Sequence, residues 1–426
     1  MTAATDPALA DAGDCRRREL DLVRVVMVLG LVAFHAALVF DTGDDFYVKN
    51  DVTVDLTGVA AGFVVVWAMP LLFATAGAAA AHSVQRRGPS RFVGERLVRL
   101  GVPLVVATLL LAPLPQWLRA RSTDDPDAHT YTGFWRRFLD VGIDLSEFPF
   151  VIQGEHFELG HLWFLLLLIL GSLVVAAVAA LPGAVSMLTG LSGRVAGRRG
   201  AVLVPALLVG AACAPRLEEA YAAGSRWAYL VTFAAGFALL ADAKVRRAVH
   251  RERWWALALG LVTFNAAGLT FLSVDDALVA PSSAAALGRA AFGAAGWCFV
   301  VAILGQLDRP TGGASPARAD APASAGRRRP FLPEAGELVL PVYVLHQPVV
   351  VGVASAVVPF ALPAWAKYAV IVVASLVLTL ALAAAAARTT TTRVLLGMRV
   401  RRDRPPSAGR LPGAPEVGRE TRAVPR

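Results

Sequence analysis

Among the seven histidines of this 426-residue sequence, His35 stands deep in an apolar run, behind Asp21 and Arg24. Eleven helical positions make about three turns plus 20°, so Arg24 and His35 share a face, about 16 Å apart along the axis. Asp21, three residues before Arg24, lies on the same side. An imidazole titrates near neutral pH and can take a proton from a hydroxyl. Aspartate and arginine near a helix end can snorkel to water; a histidine is too short to do so. His35 is therefore the first candidate for chemistry.

Three further clusters carry reactive types. In Arg96-Leu97-Val98-Arg99-Leu100-Gly101-Val102-Pro103, two guanidiniums face one way on a helix and can grip phosphates in bidentate fashion. Ordinary basic flanking of an apolar segment explains the same pair. His161 and Trp163 open another apolar run as Gly160-His161-Leu162-Trp163-Phe164, where interfacial anchors are common. Pro341-Val342-Tyr343-Val344-Leu345-His346-Gln347-Pro348 sets a His-Gln pair between two prolines. His346 serves there either function or helix-helix contact, with the proline kink freeing backbone groups as partners. His82, His129, His156 and His250 fall at helix ends or in loops and are read as solvated.

Other chemistries lack their residues. There is no Gly-x-Ser-x-Gly elbow, no HExxH and no P-loop, so a serine nucleophile, a catalytic metal and nucleotide hydrolysis have no support. Cys15, Cys213 and Cys298 are far apart and contain no CxxC, which gives neither a disulfide framework nor a metal site.

The elements that must position these groups follow from composition. The chain is 56% hydrophobic and 17% charged, with mean hydropathy +0.57. Soluble domains carry nearer ~25% charged residues. Disorder, collagen and disulfide scaffolds are excluded, leaving an all-α polytopic membrane protein. Ten segments approach the ~20 apolar residues of a spanning helix: 20–40, 58–82, 97–114, 161–182, 200–214, 227–243, 254–274, 284–306, 338–360 and 364–387. The fifth, 200–214, is short, so its crossing is the least secure. Asp21, Arg24, His35 and the length of the first run argue against a cleaved signal peptide.

Charge tests this map. The net charge of +9 invites a nucleic-acid reading. Yet most of the 41 Lys and Arg fall in 1–19, 83–99, 183–199, 244–253, 307–337 and 388–426. With a cytoplasmic N-terminus, all of these are inner segments, as the positive-inside rule requires. Both termini are then cytoplasmic, the partner is the lipid bilayer, and no nucleic acid is implied. Three stretches lie outside the membrane. The aromatic and acidic loop 115–160 suits either an acceptor-binding lid or an amphipathic interfacial loop. The Pro/Ala/Gly/Ser-rich stretch 307–330 reads as a cytoplasmic linker. The basic tail 388–426 is expected to be disordered and to touch anionic lipid through Arg399, Arg401 and Arg402.

Taken together, Asp21, Arg24 and His35, the Arg96–Pro103 run, His161 to Phe164 and Tyr343 to Pro348 resemble the acyltransferase 3 family over roughly residues 16–386. These are bacterial integral-membrane acyltransferases, among them O-antigen and glucan acyl-modifying enzymes. The second helix reads Phe73-Ala74-Thr75-Ala76-Gly77 where many members have Phe-x-x-Ser-Gly. The resemblance implies transfer of an acyl group, acetyl or another short chain, from cytoplasmic acyl-CoA to a hydroxyl of a cell-surface glycan or other small acceptor, in the plasma or inner membrane. It makes Arg24 and His35 the essential pair. The expected catalytic residues are then His35, as base, and Arg24; Arg24, Arg96 and Arg99 bind the donor; and Asp21, His161, Trp163 and His346 are in support. Acyl-CoA is a donor substrate and no tightly bound cofactor is expected. A secondary transporter or flippase using His35 and Asp21 as a proton relay is the competing reading; the sequence has no internal repeat of the kind many transporters carry.

Overall fold

The computed structural model describes residues 7–43, 46–123, 125, 128–218, 224–240, 242–307 and 335–399. The N-terminal residues 1–6, nearly all of the linker 307–330 and the tail beyond Arg399 lie outside the described residues, as does the side chain of Asp21. The rest is almost wholly helical. In order come α1 (Pro7–Leu38), α2 (Leu56–Arg87), α3 (Pro89–Arg96), a π-helical turn (Leu97–Gly101) and α4 (Val102–Leu110). Then follow α5 (Pro113–Ser122), α6 (Tyr131–Phe138) and a two-stranded antiparallel hairpin, β1 (Gly142–Ile143) with β2 (Ile152–Gln153). The remainder is α7 (Trp163–Ala180), α8 (Ala184–Gly197), α9 (Pro205–Cys213), α10 (Arg226–Leu239), α11 (Ala243–Ser273), α12 (Ser283–Leu307), α13 (Ala335–Val357), α14 (Ala364–Ala386) and α15 (Thr390–Leu395).

Seven helical stretches among the described residues are long and apolar enough to cross a membrane, and Leu22–Leu38, Ala201–Cys213 and Arg226–Leu239 are shorter apolar helices. Each of the ten expected segments therefore has a helix; Ala201–Cys213 and Arg226–Leu239 fall short of a full span by length, whereas Leu22–Leu38 is the apolar part of the 32-residue α1. The third runs well beyond its expected limits of 97–114, as a helical stretch from Pro89 to Ser122. Pro89 and Pro113 stand at first-turn positions, where a missing N–H costs nothing, so they start new turns instead of ending the rod.

Small residues let the helices meet backbone to backbone, the usual means of association where lipid removes the hydrophobic drive. A Cβ on Gly77 of α2 would fall 2.0 Å from the Phe233 carbonyl oxygen of α10, and one on Gly236 would fall 2.1 Å from that of Ala74. On α12, Gly293 approaches Val209 and Gly296 approaches Val66 in the same way. The α2–α10 seam joins two cores. One collects α1, α2, α7 and α13 around Phe73, Leu162 and Val344; the other collects α9, α11 and α12 around Trp297.

Two buried cations are held mainly by main-chain carbonyls. Arg289 donates to the carbonyls of Ala214, Pro215, Ala277 and Ala280. Lys367 donates to Val358 O and Asn50 Oδ1. The loop 115–160 is folded: Thr130 caps α6 through Gly133 N, and Arg226 ties Glu147 and Glu218 together and bonds the carbonyls of Glu147 and Phe148. Its hairpin leaves Ile143 80% and Leu145 77% exposed, which favours the interfacial reading for that part of the loop.

Candidate functional site

The site begins with a proline. Pro348 has no N–H to offer the carbonyl four residues earlier, so Val344 O loses its helical partner. His161 fills the gap, its Nε2 lying 3.1 Å from Val344 O. A carbonyl only accepts, so Nε2 carries the proton and Nδ1 keeps the lone pair. Two further bonds clamp the start of α7 to α13. The amide N–H of His161 donates to Gln347 Oε1 at 3.1 Å, and the Tyr343 hydroxyl donates to His161 O.

His346 sits one turn along. Its Nδ1 lies 2.5 Å from Tyr343 O, so Nδ1 is the protonated nitrogen and Nε2 holds the lone pair. That Nε2 is buried without a hydrogen-bond partner among the described residues. His35, near the end of α1, completes the group. Ring centroids are 5.0 Å apart for His35 and His346, and 4.9 Å for His161 and His346. Phe46 stacks on His35 at 5.9 Å. His35 makes no hydrogen bond among the described residues, and its Nδ1 is buried. Buried polar atoms are nearly always paired, so two bare imidazole nitrogens in one cluster mark a place for a polar ligand. Two of the three rings are held in one tautomer by main chain; His35 is held in neither by any hydrogen bond among the described residues.

Toward the loop 115–160, a polar chain adjoins the cluster. Gly160 adopts φ +51°, which spares a Cβ in the left-handed region. The added carbon would also stand 2.9 Å from the Tyr47 hydroxyl and 3.6 Å from Gln347 Nε2. Tyr47 donates to Glu158 Oε1 at 3.2 Å, Gln116 donates to Glu158 Oε2, and the Arg119 guanidinium lies over the Tyr47 ring at 4.6 Å. Burial and the Glu158 carboxylate hold the Tyr47 phenol well above its ordinary range, so it remains a donor.

At the opposite end of the bundle lies a guanidinium group. Arg24 donates to Thr75 O at 2.9 Å, through the same α2 stretch that packs Phe73 and Gly77. Arg96 lies over the Phe92 ring, and the charges of Arg24, Arg87 and Arg99 act on it. Among the described residues neither Arg96 nor Arg99 forms an ion pair, and both are half-buried. The π-helical turn falls on Arg99, as such turns often do at functional sites.

Of the residues expected from sequence, His35, His161 and His346 come together, as do Arg24, Arg96 and Arg99. The two groups are separate. Arg24 is about 16 Å from His35 along the continuous α1, so it does not reach what His35 touches. Trp163 is core, stacked on Tyr229 at 5.3 Å. His156 and His250 are half-buried and partnered instead of freely solvated: His156 packs against Phe134, and His250 Nδ1 bonds Gly305 O at 2.9 Å. Their positions at element ends misled, because those ends are covered by neighbours. Tyr343 and Gln347 were visible inside the proline-flanked motif but carried no sign of their part. Tyr47 and Glu158 had no signal at all, being loop residues brought in by the fold.

No curated protein and no solved structure matches the chain. The acyltransferase 3 family, an acyltransferase domain, matches residues 17–387, which span every element of both groups. The chain belongs to the acyltransferase 3 family.

Proposed function

We propose that the protein transfers an acyl group, acetyl or another short chain, from acyl-CoA to a hydroxyl acceptor of the cell envelope, within the plasma or inner membrane. The family supports membrane acyl transfer in general; the donor, acceptor and ten-span topology with both termini inside are this reading. The observation that carries it is the histidine cluster, whose His35 is free of protein hydrogen bonds beside the bare Nε2 of His346.

In the reaction, His35 takes the proton of the acceptor hydroxyl. The oxygen attacks the thioester carbonyl, the C–S bond breaks, and the thiolate leaves as CoA after recovering that proton. His346, with its tautomer set by a main-chain carbonyl, keeps its bare Nε2 lone pair in the same cluster, and His161 packs against it. Arg24, Arg96 and Arg99 serve the donor phosphates: Arg96 and Arg99 are half-buried guanidiniums that form no ion pair among the described residues, which suits a polyanion. The pantetheine arm then spans the distance between the groups, and the aromatic, carboxylate-bearing outer side suits a glycan.

Incubating the purified protein with labelled acetyl-CoA and envelope glycan tests this. Release of CoA with label on the glycan is expected. Label moved across a membrane with the thioester intact would instead support a transporter.

A further inference from the structure

The tail does not begin in disorder. Past the end of the family match at residue 387, α15 and the turn after it fold back onto the arginine end of the bundle. Thr389 caps α15 through Thr392 N, at 3.2 Å. Arg393 is 3% exposed and uses its guanidinium throughout: it pairs with Glu337 of α13 at 2.9 Å, and bonds the carbonyl oxygens of Ala387 and Arg399. Those bonds fix the main chain at Arg399. Gly397 has φ +72° and would place a Cβ 2.3 Å from Arg99 O, beside Leu340 and Pro103. Arg99 Nε in turn donates to Gly397 O at 3.4 Å. Met398 is buried, and Arg399 is exposed with its charge acting on Arg99. The Glu337 carboxylate also acts on Arg99 but is paired with Arg393, so Arg99 and Arg399 stand near each other with no ion pair of their own among the described residues, an arrangement that an anion joining them would relieve.

From this geometry we infer that residues 390–399 are part of the donor site, with the Arg399 guanidinium binding a phosphate of the acyl-CoA beside Arg99. The inference rests on the donor reading of Arg99 given above. Arg393 is the positioning residue: it touches no ligand and acts by holding Arg399 in place.

An anionic lipid headgroup offers the same phosphate chemistry, so the test separates the two. Full-length protein is placed in nanodiscs of neutral phosphatidylcholine, and CoA binding is measured for wild type, R99A, R393A and R399A. The set is repeated with phosphatidylglycerol added. Arg399 is exposed, so R399A leaves the packing intact, which thermal unfolding checks. Loss of one charge-assisted bond weakens CoA binding roughly tenfold or more. That loss is expected for R399A in neutral discs, alongside R99A, with R393A following by release of the turn. Wild-type CoA binding by R399A while R99A is weakened overturns the inference and leaves the donor reading standing. An R399A effect seen only with phosphatidylglycerol makes the lipid its partner and also overturns it. Unchanged binding in both R99A and R399A removes the donor reading itself, and the inference with it.

Discussion

The imidazole of His35 on α1 packs 5.0 Å, centroid to centroid, from that of His346 on α13, and the Nε2 of His346 has its lone pair free. Read from sequence, His346 serves either helix-helix contact or function, and its loss as a mere contact leaves measurable turnover. The geometry sharpens this. His346→Ala is expected to lower kcat at least ~10²-fold, the scale of acid-base groups, with the KM for acyl-CoA little changed. Steady-state kinetics on the purified variant decide it: a raised KM with wild-type kcat assigns His346 to the donor instead.

The arginine end makes the opposite prediction. Arg24→Ala, or Arg96→Ala with Arg99→Ala, should raise the apparent KM for acyl-CoA by roughly 10–100-fold at one or two lost charge-assisted bonds. Arg24→Lys should restore only part, since an ammonium lacks the planar fork that reaches both a carbonyl and a phosphate. An unchanged donor KM in the double variant returns residues 96–99 to topology charges. Raised ionic strength should weaken donor binding in the wild type and do so less in these variants.

Helix packing sets a third expectation. Gly77→Ala or Gly236→Ala drives a methyl into a carbonyl oxygen of the facing helix. The cost exceeds the ~1–3 kcal/mol of ordinary overpacking, because backbone cannot turn aside as a side chain can. Yield of folded protein by size-exclusion chromatography should collapse for both. Gly30→Ala on α1 has nothing within 4 Å of the new carbon and should fold normally. Equal yields from all three would remove the close α2–α10 seam.

How far these features were legible depends on the distance over which each is encoded. Apolar runs and their arginine flanks are local, so the helices could be placed, and α1 with its Arg24–His35 face follows from spacing alone. The meeting of His35, His161 and His346 is not local. It depends on Pro348 freeing Val344 O, which His161 then occupies from another helix. The proline motif showed that some carbonyl would be freed, though not which side chain would fill it. The tail failed for a related reason. Its composition is that of a disordered segment, yet in its described part, up to Arg399, Arg393 finds Glu337 across the chain and bonds the carbonyls of Ala387 and Arg399.

Orientation can be checked directly. Single cysteines placed in loop 115–160 should react with an impermeant thiol reagent in intact cells, and those in the linker 307–330 should not. The reverse pattern would discard the ten-span arrangement and the transfer across the membrane that it supports.

The central claim is that His35 handles the acceptor proton, and the rate of acyl transfer by His35→Gln measures it most directly. Glutamine keeps a hydrogen-bonding side chain at that position but cannot accept a proton at neutral pH. With labelled acetyl-CoA and a glycan acceptor, the folded variant is expected to transfer at least ~10²-fold more slowly than wild type, and His35→Ala likewise. A rate within a few-fold of wild type, in protein that inserts and folds normally, would contradict the assignment and leave the base to His161 or His346.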